Sequence, residues 1–189
     1  MLEFIDNIDR KIFLLLNGFH FDWLDPIMKI ISSTYFWIPI ILLFIVCTII
    51  YFKKRFWIPI IFVAVAFALT DAGSTLVKKS VKRPRPTHNI ELADKVHVVD
   101  NYRGGDYGFF SGHAANSLGL ALLSLLFIRK KFYTAIVISW TVLVSYSRIY
   151  LGVHYPFDIL CGFLYGTLVA FLLYNIANKL FYKYFHISK

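Results

Sequence analysis

Eight residues in three short stretches of the chain have chemistry suited to a phosphate group. They are Lys78 and Arg85 in the first stretch, Ser111, Gly112 and His113 in the second, and Arg148, His154 and Asp158 in the third. Arg presents a planar fork that pairs with two phosphate oxygens at once, and Lys adds a compact positive charge. Three such cations could balance the charge of a phosphoryl group, so these residue types predict a site for a phosphate ester.

The third stretch contains a candidate nucleophile. His154 and Asp158 are four residues apart, so they share one face if the segment is helical, and Pro156 suits the first turn of that helix. The carboxylate of Asp158 could then hold one imidazole nitrogen and leave the other free as a nucleophile. His113 supplies a second imidazole, which can give and take a proton near neutral pH. We therefore expect His154, His113 and Asp158 to be catalytic.

The second stretch is the predicted start of a helix. Ser111 and Gly112 come directly before an apolar run, so their backbone N–H groups would point outward at a helix N-terminus, which attracts anions. We expect this helix end to bind the substrate phosphate together with Lys78, Arg85 and Arg148.

The composition is that of an integral membrane protein. Of the 189 residues, 58% are hydrophobic and 16% are charged, and the mean hydropathy is +0.63. Soluble domains have about 45 to 50% apolar and about 25% charged residues. Cys47 and Cys161 both lie in apolar runs, which excludes a disulfide scaffold. The first residues carry neither a basic stretch nor a small-residue cleavage site, so no removable signal peptide is expected.

Five uncharged apolar runs are long enough to be membrane-spanning helices, which need roughly 17 to 25 residues each. They cover about residues 36–52, 56–77, 112–128, 132–151 and 156–178. The expected fold is an all-α, polytopic membrane helix bundle with about five transmembrane helices, which forms a single domain over residues 1–189. Residues 1–34 mix charged with apolar residues and are predicted to form amphipathic interfacial helices, with a sixth span as the alternative.

The short connections between the runs predict sidedness, because Lys and Arg accumulate on cytoplasmic loops. Residues 53–55 and 129–131 are all basic, so they are assigned to the cytoplasm, and the C-terminus follows. The loop 78–111 and the turn 148–155 then face the periplasm or the cell exterior from the inner (cytoplasmic) membrane. Five cations within residues 78–85 lie on this outer side against the usual bias, which indicates an anionic partner such as a lipid phosphate rather than nucleic acid.

Other polar residues near these stretches are given ordinary roles. Five of them are expected to lie at the surface or to support structure: Lys79, Lys82 and Arg83 as lipid-headgroup contacts, and His88 and His97 as structural hydrogen-bonding groups. Asp71 could be a structural partner or could support the site, and residues 103–108 could form a lid or a turn. No cluster of carboxylates, Cys or His stands at metal-ligand spacing, so neither a metal nor another cofactor is expected.

Taken together, the three stretches resemble the three-part signature of the type 2 phosphatidic acid phosphatase superfamily over residues 78–158. The matching residues are Lys78 through Arg85-Pro86, then Ser111-Gly112-His113, then Ser147-Arg148 with His154 and Asp158, while Phe110 stands where the family usually has Pro. The resemblance implies a metal-independent membrane phosphatase with a phosphohistidine intermediate. It also implies that His154 is the nucleophile, that Asp158 orients it, and that His113 protonates the leaving lipid oxygen and later activates water.

The resemblance leaves the identity of the lipid open. Small bacterial relatives remove phosphate from undecaprenyl diphosphate, phosphatidylglycerol phosphate or lipid A, and undecaprenyl diphosphate is favoured at this point. Two other function classes are a lipid-to-lipid phosphotransferase and a noncatalytic binder or transporter of lipid phosphates. The oligomeric state is not predicted by the sequence.

Overall fold

The computed structural model describes residues 2–92 and 94–185, and its secondary structure within these ranges is helical. Seven α-helices follow one another in the described part of the chain: α1 Leu2–Gly18, α2 Asp25–Ser32, α3 Ile38–Phe52, α4 Trp57–Val81, α5 Gly112–Ile128, α6 Lys131–Tyr150 and α7 Pro156–Phe185. Short 3-10 turns lie at Thr34–Trp37, Lys53–Arg55, Pro86–His88 and Ile90–Leu92. The predicted all-α fold is confirmed.

Four of the five predicted runs lie in segments of 20 or more described residues that are apolar enough to cross a membrane. Three of these spans are α4, α6 and α7 as far as Phe181, and the fourth is Thr34–Arg55, which contains α3. The remaining run is α5, which has 17 residues. It contacts α3, α4, α6 and α7, so protein rather than lipid surrounds it, and its length is at the lower limit of what a span needs. The bundle therefore consists of four full spans around one shorter, buried helix.

α5 and α7 pack closely because small residues face each other at their contact. A Cβ atom added to Gly162 would lie 2.6 Å from the carbonyl oxygen of Ser111, and one added to Gly166 would lie 2.4 Å from that of Ala115. Only glycine permits two helices to approach so closely at these positions. This contact holds the start of α7 against the first turns of α5.

Alternating helix directions bring the three polar stretches to one end of the bundle. α4 and α6 end there, and α5 and α7 begin there. The basic connections, Lys53–Arg55 and residues 129–131, lie at the opposite end. We call the end of the bundle that holds the three polar stretches the site end.

α1 lies across the site end rather than beside the spans. Towards its start, Asp9 Oδ1 accepts a hydrogen bond of 2.9 Å from the backbone N–H of Phe157, at the beginning of α7. Towards its end, Asn17 Nδ2 donates to the carbonyls of Ile149 and Tyr150, at 3.1 and 2.8 Å, where α6 finishes. A helix whose two halves contact the ends of two spans runs across them, which is the placement expected of an interfacial helix.

α2 also packs on the site end. Ser32 Oγ accepts a hydrogen bond from Arg148 Nη1. Asp25 Oδ1 accepts one of 2.6 Å from the Tyr150 hydroxyl and lies 2.9 Å from His97 Nε2. His97 therefore makes a structural contact, and the N-terminal helices form a polar layer over the site end.

Candidate active site

The segment that follows α4 is extended, and this directs two arginines to the same side. Pro84 prevents the helix from continuing. The chain then pairs antiparallel with residues 106–108 through two backbone hydrogen bonds, of 3.2 and 2.9 Å. Residues two positions apart in an extended chain point the same way, so Arg83 and Arg85 both face the start of α7.

His154 and Asp158 lie side by side in the interior of the site end. His154 is 1% exposed and Asp158 is fully buried. Asp158 Oδ2 lies 3.5 Å from His154 Nδ1 and accepts a hydrogen bond of 3.0 Å from the backbone N–H of Tyr155. Gly108 packs against both side chains, since a Cβ atom there would lie 3.0 Å from Asp158 Oδ2 and 3.6 Å from His154 Nδ1. The carboxylate therefore occupies the Nδ1 side of the imidazole, at slightly more than ordinary hydrogen-bond length.

Three cations surround the rest of the His154 ring. Arg85 Nη1 lies 3.4 Å from His154 Nε2. Arg148 is 3% exposed, and its charge and that of Lys78 also act on the ring. Lys78 Nζ lies beside Gly112, where an added Cβ atom would be only 3.3 Å away. The Nε2 side of the imidazole thus faces positive charge.

Burial and these charges keep His154 neutral. Burial has the largest effect, and the positive charges of Arg85, Arg148 and Lys78 add to it, so the pKa of His154 lies well below its ordinary value. A nucleophilic imidazole must be neutral, because protonation removes the lone pair that attacks. The ring is therefore in the reactive form at neutral pH.

The cation cluster contains buried donors without partners. Within residues 2–92 and 94–185, Arg85 Nε and Arg148 Nε are buried and have no hydrogen-bond acceptor. Burial lowers the pKa of Arg85 and the charge of Arg148 lowers it further, as expected for two like charges held close together. Buried unpaired donors and uncompensated like charges are both unfavourable. An anion with several oxygens, such as a phosphate, would relieve both.

The N-terminus of α5 differs from the prediction at one residue. The backbone N–H of Ser111 donates to the carbonyl of Asp158 at 3.0 Å, so the predicted contact between this N–H and a phosphate is wrong. Ser111 Oγ caps α5 by accepting a 3.4 Å hydrogen bond from the N–H of Ala114, which leaves its hydroxyl hydrogen as the donor that it can offer a substrate. The contact from the N–H of Gly112 stays a prediction.

His113 lies in the first turn of α5, at the edge of the cation cluster. It is half-buried and packs edge-on against Trp37, with ring centroids 6.1 Å apart. It interacts electrostatically with Arg148, His154 and Lys78. The structure therefore brings all three predicted stretches together and places both imidazoles in one charge cluster.

Residues 103–108 lie against this cluster. Gly104 adopts a positive φ of 68°, and a Cβ atom there would lie 2.9 Å from Arg85 Nη1. Just before this segment, the hydroxyl of Tyr102 accepts a hydrogen bond of 3.4 Å from Arg148 Nη2. The segment that the sequence leaves open between a lid and a turn thus lies against Arg85, while Tyr102, just before it, contacts Arg148.

Two residues near the site, Arg83 and Tyr102, have no predicted role in it. Arg83, assigned from the sequence to lipid headgroups, donates to Asp158 Oδ1 at 2.7 Å. The sequence does contain a signal for this role of Arg83. Arg83 lies two residues before Arg85, with Pro84 between them, and residues two positions apart in an extended chain point to the same side. No signal marks Tyr102, because its contact depends on how the whole loop folds.

Lys78, Arg85 and Arg148 supply positive charge to the site. Asp71, two turns before Lys78 on α4, acts electrostatically on that lysine. In the part of the chain that the structure describes, no group of three or more His, Cys, Asp or Glu side chains is arranged to hold a metal ion.

Comparison with known proteins gives a family and several named relatives. The model of the PAP2 superfamily matches residues 59–182. The chain is 35% identical to a lipid A 4'-phosphatase of Bacteroides thetaiotaomicron, over 95% of this chain and 81% of that protein. It is 36% identical to a lipid A 4'-phosphatase of Porphyromonas gingivalis, over 93% and 75% of the two chains. An undecaprenyl-diphosphatase of Sulfolobus acidocaldarius is 29% identical, over 89% and 78%.

One solved structure shows the shared fold. The crystal structure of a transmembrane PAP2 type phosphatidylglycerolphosphate phosphatase from Bacillus subtilis superposes with a TM-score of 0.74, covering 93% of this chain and 87% of that one. The sequence identity is 23%, so the likeness concerns architecture.

Proposed function

The chain belongs to the PAP2 superfamily and is a membrane lipid phosphatase of a family that needs no metal, and we propose that it acts through a phosphohistidine formed on His154. The position of His154 carries this proposal. Asp158 lies on the Nδ1 side of the ring, and Arg85 lies 3.4 Å from Nε2. Nε2 is therefore the nitrogen that faces the cations able to hold a phosphate.

Substrate binding uses the donors that lack partners. The phosphoryl oxygens pair with Arg85 and Arg148, and Lys78 adds charge next to the N-terminus of α5. The hydroxyl of Ser111 and the N–H of Gly112 complete the set. These groups also stabilise the charge on the equatorial oxygens as phosphorus changes partners.

In the first chemical step, His154 Nε2 attacks phosphorus and the bond from phosphorus to the lipid oxygen breaks. The negative charge of the bound phosphate offsets the charges of Arg148 and Lys78 on His113, so that this imidazole can carry a proton and donate it to the departing oxygen, and the lipid leaves as an alcohol or a lower phosphate. Asp158 stabilises the positive charge that the phosphorylated imidazole acquires.

In the second step, water attacks the phosphohistidine. His113, which has lost its proton, now takes one from the water, the phosphorus–nitrogen bond breaks, and inorganic phosphate leaves. His154 returns to its neutral form and His113 regains the proton that it gave to the lipid oxygen, so both are ready for another turnover.

For the substrate we favour lipid A. Its support is the identity of 35 and 36%, over more than nine-tenths of the chain, to two proteins named lipid A 4'-phosphatase. Undecaprenyl diphosphate, the lipid favoured from the sequence, becomes the second candidate because the relative named undecaprenyl-diphosphatase is less similar, at 29% identity. A lipid-to-lipid phosphotransferase would use the same phosphohistidine with a second headgroup in place of water.

The chain is a multi-pass membrane protein, and we further propose its orientation. Residues 1–189 form one domain in the cytoplasmic membrane, with residues 1–34 on the outer interface and the loop 78–111 as the external wall of the active site. The C-terminus is then cytoplasmic. The basic connections at the end opposite the site support this orientation.

The function is tested by turnover of a lipid panel. Purified protein in detergent, with chelator present, is incubated with lipid A, undecaprenyl diphosphate or phosphatidylglycerol phosphate, and phosphate release is measured beside mass spectrometry of the lipid product. We expect the highest kcat/KM on lipid A and no turnover by His154→Gln, a substitution that fills most of the buried space of the imidazole. Faster release from undecaprenyl diphosphate would select the second candidate. Phosphate found on another lipid would reveal a phosphotransferase, and no turnover of any lipid would overturn the assignment.

A further inference from the structure

Arg83 forms an ion-pair network behind the proposed catalytic pair. Its Nη1 donates to Asp158 Oδ1 at 2.7 Å. Its Nη2 donates to Asp9 Oδ2 at 2.7 Å and to Asp6 Oδ1 at 2.8 Å. One guanidinium thus joins a carboxylate of α7 to two carboxylates of α1.

These contacts separate Arg83 from the cations that face a phosphate. Both terminal nitrogens of Arg83 are occupied by carboxylates, and its guanidinium lies over the ring of Tyr155, 4.2 Å from the centroid. Burial opposes its charge, but the carboxylates led by Asp158 outweigh burial and raise the pKa of Arg83. Arg83 is therefore a permanent cation directed at carboxylates and not at substrate.

The contact with Arg83 determines which oxygen of Asp158 serves the imidazole. Oδ1 is held by Arg83, while Oδ2 accepts from the backbone N–H of Tyr155 and lies 3.5 Å from His154 Nδ1. A carboxylate without the Arg83 contact could rotate about its terminal bond. With both oxygens engaged, the orientation of Asp158 is fixed towards His154.

α1 completes the network through its own carboxylates. Asp9 is 5% exposed, and its second oxygen, Oδ1, accepts the 2.9 Å hydrogen bond from the N–H of Phe157 in the first turn of α7. Asp6 pairs with Arg10 one turn further along α1, at 2.7 Å. The helix that lies across the site end is thus bonded both to Arg83 and to the turn that carries Asp158.

We propose that Arg83 is a positioning residue for the phosphatase reaction, which orients Asp158 behind His154, and that α1 holds Arg83 in place through Asp6 and Asp9. This inference rests on the proposed roles of His154 and Asp158. It gives α1 a part in catalysis in addition to its place at the membrane interface.

The test compares Arg83→Gln, Arg83→Lys and Asp9→Asn with Lys79→Gln, the substitution of an exposed cation on the last turns of α4. The measurements are kcat and KM on lipid A and the inhibition constant of inorganic phosphate. Arg83→Gln should lower kcat by about 10- to 100-fold, the range typical of groups that orient a functional side chain. KM and the inhibition constant should stay within about threefold, because the phosphate-facing cations are untouched. Lys79→Gln should match the wild type.

Two further results distinguish positioning from a general loss of structure. Arg83→Lys should recover part of the kcat lost in Arg83→Gln, because it keeps the charge and loses the second arm of the fork. Asp9→Asn should lower kcat in the wild type and have much less effect in the Arg83→Gln background, since both changes break one network. If Arg83→Gln does not yield a monodisperse protein, Asp9→Asn alone decides, and an unchanged kcat there would overturn the proposal.

The outcomes also separate this inference from the proposed function. Wild-type kcat in Arg83→Gln, beside an inactive His154→Gln, would overturn the positioning role alone. A weakened phosphate inhibition constant with unchanged kcat would make Arg83 a substrate contact and would likewise overturn it. Retained turnover in His154→Gln would remove the proposed mechanism itself.

Discussion

The backbone N–H of Ser111 donates to the backbone carbonyl of Asp158 at 3.0 Å, which joins the N-cap residue of α5 to the residue whose carboxylate lies beside His154. The contact is possible because α7 approaches α5 at Gly162, beside the carbonyl of the same Ser111. Helix packing and active-site geometry are therefore coupled at this point. A change in the packing of α7 against α5 should alter the geometry of the active site.

A methyl group at Gly162 should disturb both the packing of α7 against α5 and the geometry of the active site. Gly162→Ala would place a Cβ atom 2.6 Å from the carbonyl oxygen of Ser111 and 3.1 Å from the Cβ atom of Ala114. Overpacking of this kind costs about 1 to 3 kcal/mol. We expect a lower melting temperature in detergent and a reduced kcat. Gly18→Ala is the matched control, because a Cβ atom there meets nothing within 4 Å, and equal melting temperatures for the two variants would contradict the coupling.

His113 is tested through the leaving group. If His113 protonates the departing oxygen, His113→Asn should slow a lipid phosphate, whose alkoxide is a poor leaving group, by about 10²- to 10⁴-fold. An aryl phosphate with an acidic phenol needs little protonation, so its rate should fall much less. Single-turnover rates on the two substrates give the comparison. An equal loss on both would assign His113 to phosphate binding instead.

The sequence predicts the parts of this protein that follow from the membrane and from chain direction. Lipid requires long apolar helices, so the runs around α3, α4, α6 and α7 are visible in composition. Alternation of helix direction then brings Lys78, His113, Arg148 and His154 to one end. The run of α5 is also visible in the sequence, at the lower limit of that length, although other helices and not lipid surround it.

Contacts that depend on long-range packing could not be predicted in the same way. The pairing of Arg83 with Asp6 and Asp9 requires α1 to lie against the start of α7, and the amphipathic pattern of residues 1–34 predicts a place at the interface but not which helix ends α1 contacts. The hydrogen bond from the Ser111 N–H to the backbone carbonyl of Asp158 similarly depends on where α7 contacts α5. Motif spacing identifies which residues meet, whereas the packing decides which atoms of those residues stay available to a substrate.

The neutral state of His154 predicts a pH-dependent stability. Burial, then the charges of Arg85, Arg148 and Lys78, lower the pKa of His154 well below 6.5 in the folded protein. The unfolded chain takes up a proton near pH 6.5, so below that pH the unfolded state binds more protons and folding weakens. This stabilisation is complete above pH 6.5 and decreases as the pH falls through that value.

The variant His154→Gln removes this proton linkage. Between pH 7.5 and 5.5 the free energy of unfolding of the wild type should fall by up to about 1.4 kcal/mol more than that of the variant. Titration with a denaturing detergent at several pH values measures both proteins under the same conditions. Parallel pH dependences would show that the imidazole in the folded protein titrates as it does in the unfolded chain.

The proposed orientation predicts which surfaces a membrane-impermeant thiol reagent can reach. In a background with Cys47 and Cys161 replaced by Ala, single cysteines are placed at Lys95, Lys130 and Glu3, all of which are exposed. Lys95 lies in the loop at the site end and Lys130 lies in the connection between α5 and α6 at the opposite end. We expect labelling of Lys95→Cys in intact spheroplasts, and labelling of Lys130→Cys only after permeabilisation. Glu3→Cys should be labelled without permeabilisation, because α1 lies across the site end. The reverse pattern for the first two would place the active site in the cytoplasm, and protection of Glu3→Cys alone would contradict the interfacial placement of α1.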